Sequence, residues 1–145
     1  MVAAIVYTDG SCLGNPGKGG WGAILKWDDG ETQIWGSSPS STNNEMELSA
    51  AYFACLELIK NNINEAEIYT DSHYVKKGIT EWIKKWRLNE YKTATKNPIK
   101  NQELWKLLDI EQSKLNIEWK YVKAHNGDIM NEKVDKLARE AAKKQ

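Results

Sequence analysis

The chain has few cysteines, no long apolar run and no net charge, and each shortage excludes a class of protein. Cys12 and Cys55 are its 2 cysteines, and their spacing suits no metal site. Without a secretory signal a disulfide is not expected, so both read as small packing residues. No stretch reaches the roughly 18 apolar residues that a membrane span needs. Met1 to Val6 is apolar, but it lacks a charged leader and runs straight into Tyr7-Thr8-Asp9, which is too short for a signal peptide. These absences lead to the expectation of a cytoplasmic protein with no membrane partner. Linkers, low-complexity tracts and solenoid repeats are missing too, so residues 1–145 are expected to form one domain.

The zero net charge, from 20 basic and 20 acidic side chains, argues at first against a nucleic-acid partner. Position changes that reading. Residues 1–75 hold 3 basic and 10 acidic side chains, whereas residues 76–145 hold 17 and 10. Such asymmetry fits a polyanion-binding surface beside an acidic site, or simply a solvated lysine face. Composition is otherwise globular, with 41% hydrophobic and 28% charged residues.

Periodicity predicts strands over 2–9, 22–27 and 32–36, the last two joined by an Asp28-Asp29-Gly30 hairpin turn. Gly10 to Gly20 reads as a turn region. A helix follows over 46–59, capped by Asn43 or Asn44. Further on come a strand over 65–70, helices over 72–77 and 79–86 separated by Gly78, and a basic loop over 87–99. A helix over 103–114, a strand over 117–122 and a helix over 131–143 complete the chain. A strand meander followed by alternation implies an α/β fold: a mixed sheet flanked by helices.

Within that order, Tyr7-Thr8-Asp9 and Tyr69-Thr70-Asp71 each close a predicted strand. If the two strands are parallel neighbours, both aspartates emerge at the carboxyl edge, where α/β folds bind ligands. Turn capping by each Asp is the other reading. Glu47 lies on the stripe with Ala51, Ala54 and Leu58, which puts it on the core side of its helix. Asp135 shares a face of small residues with Ala138 and Ala142. Carboxylates that converge repel one another, so either a pKa rises or a cation sits between them. Oxygen ligands favour hard ions such as Mg²⁺ or Mn²⁺, and a pair of them can clamp the attacking water and the leaving oxygen of a phosphodiester.

With those residues in place, the sequence resembles the bacterial type 1 ribonuclease H family. The resemblance is carried by Tyr7 to Gly17, Gly19 to Leu25, Thr42 to Leu48, Thr70-Asp71-Ser72, Trp119 to His125 and Asn131 to Ala138, in unbroken order over nearly the whole chain. It implies a ribonuclease H-like fold, with a five-stranded mixed sheet and helices on both faces. It also implies a monomeric endonuclease that cuts the RNA strand of RNA–DNA hybrids, leaves 5′-phosphate and 3′-hydroxyl ends, and serves in removal of RNA primers and R-loops. Its metal-binding acids fall on Asp9, Glu47, Asp71 and Asp135. Asp9 is expected to bridge two Mg²⁺ ions, with Mn²⁺ as a substitute. Its catalytic histidine falls on His125, a group that can move a proton near neutral pH.

Asn15, Asn43 and Asn44 resemble the family's groove contacts, and Thr42 resembles part of its pocket for a DNA phosphate. His73 is expected to border the substrate. Segment 76–100, with eight Lys or Arg against two Glu, resembles the family's basic protrusion. There Lys84 and Lys85 would meet phosphates, and Trp82 and Trp86 would pack on the DNA strand or on each other. Glu45 and Glu90 depart from the family's basic positions, and Asp128-Ile129-Met130 alters the loop after His125. The separate N-terminal hybrid-binding module of many eukaryotic relatives is not expected. A non-catalytic hybrid-binding module or another nuclease of similar fold are the competing readings.

Overall fold

A computed structural model describes residues 3–124 and 127–144. Five strands form one sheet in the order β3-β2-β1-β4-β5. They are β1 (Ala4–Leu13), β2 (Gly17–Trp27), β3 (Gly30–Ser41), β4 (Glu65–Thr70) and β5 (Asn116–Tyr121). Strands β1, β2 and β3 pair antiparallel, while β4 joins β1, and β5 joins β4, in parallel. The sheet is therefore mixed, as expected.

The alternating pleat divides the sheet into two faces. Ala4, Val6, Ala23, Leu25, Ala66 and Ile68 point to one side, where helix α1 (Asn43–Lys60) supplies Leu48, Ala51, Ala54 and Leu58. Helix α4 (Gln102–Gln112) adds the fully buried Trp105 and Leu108 to this main core. On the other face, helix α5 (Ile129–Lys143) lies over β1, β2 and β3. Gly20 makes that docking possible, because a Cβ there would stand 2.3 Å from the backbone nitrogen of Ala142.

Several predicted boundaries move. Gly10 to Leu13 and Gly17 to Gly20 are strand rather than turn, because β1 continues past β4 and pairs with β2 from Gly10–Trp21 to Leu13–Lys18. The cap of α1 is Thr42, not Asn43 or Asn44. Thr42 is extended, and its hydroxyl accepts from the backbone N–H of Glu45 at 3.2 Å, which leaves both asparagines inside the first turn. Gly78 does not separate two helices. Helix α2 (His73–Lys77) runs through a π-helical turn (Gly78–Trp82) into α3 (Ile83–Leu88), and the bare Gly78 backbone receives the Trp105 ring. Arg87 and Leu88 accordingly belong to a helix rather than to the basic loop. Cys12 and Cys55 are both free thiols, and burial pushes the Cys55 thiol up to about 12.

Candidate active site

The repeated tripeptides align in register: Tyr7 sits beside Tyr69 and Thr8 beside Thr70 on parallel strands. Their tyrosine rings stack at 4.8 Å, and both threonines are buried. Strand β4 ends at Thr70, so Asp71 lies just past its carboxyl end, next to the point where β1 presents Asp9. Glu47 arrives from α1 on the opposite face. It reaches Asp9 because Gly10 has no side chain: a Cβ there would lie 2.3 Å from the Glu47 nitrogen. The Gly10 N–H donates to Asp9 Oδ1 and to Glu47 Oε1, both at 2.9 Å.

One carboxylate oxygen from each of Asp9, Glu47 and Asp71 lies within 4.8 Å of the others. Asp9 and Glu47 are buried. Burial, followed by the charges of Glu47, Asp71 and Asp135, pushes the Asp9 carboxyl far above the usual range. Burial and the Asp71 charge push Glu47 the same way. Asp9 thus feels all three other acids. Asp135 approaches it from α5, and its own Oδ2 accepts from Arg139 Nε at 3.0 Å, one turn along the helix. The donor set is oxygen only, crowded and short of positive charge, which suits a hard divalent cation.

His125 lies outside the described residues. Asp128, close after it, caps α5: Oδ1 accepts from the Asn131 N–H at 3.0 Å, and Oδ2 from the Tyr7 hydroxyl at 3.3 Å. Burial and the Asp128 charge raise the Tyr7 phenol to about 12, so it remains a donor. His73 is exposed and stacks on the Tyr121 ring at 4.0 Å.

Asn15, Thr42, Asn43 and Asn44 gather around a polar cavity of about 220 Å³. Asn15 Oδ1 accepts from the Asn43 N–H at 3.0 Å, satisfying one of the free donors at the start of α1. Lys100, Asn101 and Glu45 also line this cavity. The basic run pointed toward Lys100, but nothing local marked either residue as a neighbour of Thr42. Asn101 sits at a left-handed φ of 57° just before α4, and its Nδ2 donates to the Tyr74 hydroxyl at 3.1 Å. The Glu45 carboxylate is held by the Ser41 hydroxyl at 2.5 Å.

Along segment 76–100, Lys84 and Lys85 are exposed. Trp82 is 38% exposed, whereas Trp86 packs edge-on against the buried Trp105 at 4.9 Å. The two indoles of the i, i+4 pair also touch each other, at 5.9 Å. Trp86 is therefore mainly a core-facing wedge, and Trp82 is the more available ring.

The family model for RNase H matches residues 1–143. A Ribonuclease H from Wolbachia pipientis wMel is 53% identical over 137 residues, spanning 94% of this chain and 93% of that one. A Ribonuclease HI from Caulobacter vibrioides is 51% identical over 135 residues, spanning 93% and 89%. Among solved structures, LC9-RNase H1, a type 1 RNase H with the type 2 active-site motif, superposes with a TM-score of 0.88 at 29% identity, covering 99% of this chain and 74% of that one. A foamy viral protease-reverse transcriptase in complex with an RNA/DNA hybrid superposes at 0.83 and 28% identity, covering 97% of this chain and 20% of that one. Sequence, fold and the cluster of acids agree: the chain belongs to the RNase H family, among its bacterial type 1 members.

Proposed function

We propose that this chain hydrolyses the RNA strand of RNA–DNA hybrids as a divalent-metal endonuclease, acting as a monomeric domain in the cytoplasm on primers and R-loops. The carrying observation is the meeting of Asp9, Glu47 and Asp71 within 4.8 Å. An oxygen-only cluster whose burial raises its own proton affinity has little purpose without a cation. Asp9, Glu47 and Asp71, with Asp135 beside them, would hold Mg²⁺, or Mn²⁺ in its place, as two ions when hybrid is bound. Bound there, the ions supply Lewis acidity for an attacking water and for the departing 3′ oxygen, leaving a 5′-phosphate.

The chain's own residues do the rest. Gly10 holds the Asp9 and Glu47 carboxylates toward each other through its single N–H. His125 moves a proton at the departing oxygen or at water. Asn15, Asn43 and Asn44 read the groove, and Thr42 takes a phosphate of the DNA strand. His73 borders the substrate. Trp82, Lys84 and Lys85 grip the DNA strand from the protrusion over about 76–100, with Trp86 behind them. Selectivity for hybrid requires contacts to 2′-hydroxyls on one strand only.

The test is cleavage of an RNA–DNA hybrid labelled on its RNA strand, with and without Mg²⁺, beside duplex DNA and duplex RNA. Mg²⁺-dependent loss of the labelled RNA in the hybrid alone is the expected result. Binding of the hybrid with no cleavage in either metal would leave a binding module instead.

A further inference from the structure

Asp109 is a buried carboxylate far along the chain from the four acids, and nothing in the hydrolysis uses it. It sits on α4 and accepts hydrogen bonds from several partners. Arg87 Nε donates to Oδ2 at 2.8 Å, and Arg87 Nη2 donates to Oδ1, a two-point grip on the guanidinium. The Tyr91 hydroxyl also donates to Oδ2. Gln112 Nε2 donates to Oδ1 at 3.0 Å, and the Ser113 hydroxyl to the same oxygen at 3.4 Å. Burial would raise this carboxyl, but the bonds from Arg87, Tyr91 and Gln112 outweigh it and hold the group at about 2.

The two main donors bracket the turn that ends α3. In that turn the backbone takes left-handed φ values at Glu90 (55°) and at Tyr91 itself (58°), a costly conformation for residues other than glycine. It is held by the Tyr91 N–H to the Trp86 carbonyl at 2.7 Å and by the Ile99 N–H to the Tyr91 carbonyl at 3.0 Å. Meanwhile the Arg87 side chain stays 43% exposed, and its Nη1 makes no hydrogen bond among the described residues. An arginine fixed by one edge and open at the other is pre-oriented for a second oxyanion.

We propose that Asp109 is a positioning residue for hybrid binding, which locks Arg87 and Tyr91 so that the outer edge of the Arg87 guanidinium meets a backbone phosphate. This rests on the reading of the protrusion as the grip on the DNA strand. It makes a prediction opposite in sign to simple electrostatics. Removing a carboxylate from a basic region should tighten polyanion binding, whereas unlocking Arg87 should weaken it.

Steady-state cleavage of a labelled hybrid by the full chain with Mg²⁺ decides the matter. Asp109→Asn is expected to raise KM about five- to tenfold, the scale of one misplaced phosphate contact, with kcat within about twofold of the parent. Arg87→Lys, which keeps the charge but loses the two-point grip, should raise KM likewise, and Tyr91→Phe less so. An unchanged or lowered KM in a folded Asp109→Asn chain overturns the proposal. If that chain fails to fold, parental KM values in both Arg87→Lys and Tyr91→Phe overturn it equally. Failure of the parent to cleave hybrid at all would instead strike the underlying reading of function.

Discussion

At the scale of single residues, the centre is a balance of like charges that only a cation or a proton can relieve. In the metal-free protein the raised Asp9 and Glu47 carboxyls keep protons that the unfolded chain gives up near pH 4. The folded state then binds more protons, so metal-free stability falls as pH rises above that value. Mg²⁺ at ten times its pH 8 dissociation constant should therefore stabilise the chain by about 1.4 kcal/mol at pH 8, and the same concentration should raise the melting temperature less at pH 5, where protons compete for the carboxylates. Calorimetry at the two pH values checks this, and equal shifts would contradict it. Asp9→Asn should abolish hybrid cleavage, raise the metal-free melting temperature and erase most of the Mg²⁺ effect. His125→Ala should slow cleavage on the order of 100-fold and flatten one limb of the pH–rate profile, while leaving the Mg²⁺ effect on melting in place, as expected of a proton carrier rather than a ligand.

The scale of elements shows why those residues meet. Two close approaches do the placing: α1 against Gly10 and α5 against Gly20. A methyl group at position 10 would collide with the backbone at Met46 and Glu47, so Gly10→Ala should cost about 1–3 kcal/mol of stability. It should also cost most of the activity, since it moves Glu47 away from Asp9. A denaturation curve and a cleavage assay on one preparation would separate the two losses. Much at this scale was legible in the sequence. The 65–70 strand has its predicted ends, and the repeated Tyr-Thr-Asp flagged a candidate pair of neighbours, although the repeat did not itself fix them as parallel. Gly10 to Leu13 was not, because Gly-Ser-Cys-Leu looks like a turn until β2 pairs with it. The π-helical turn was hidden for a similar reason, since Gly78 breaks helices unless a ring such as Trp105 fills the space above it. Asp109 could not have been singled out locally, as the Arg87 and Tyr91 side chains that bond it stand 22 and 18 residues away.

Across the whole molecule, charge and site divide between the two halves of the sequence. Three of the four acids belong to the acidic half, and the basic segment 76–100 belongs to the other. Hybrid affinity should therefore fall on the order of 10- to 100-fold between 50 and 200 mM salt if roughly three phosphates are neutralised. KM measured across a salt series, with kcat steady, is the expected pattern; a salt-insensitive KM would place the grip elsewhere. Asp9, Glu47 and Asp135 come from β1, α1 and α5, and Asp71 from the turn after β4. Catalysis thus serves as a proofreader of assembly. During refolding from denaturant, nuclease activity should not return ahead of the native tryptophan emission, because α5 must close over the sheet to bring Asp135 beside Asp9. A chain in which α5 had not closed would lack Asp135 at its centre and would spare RNA.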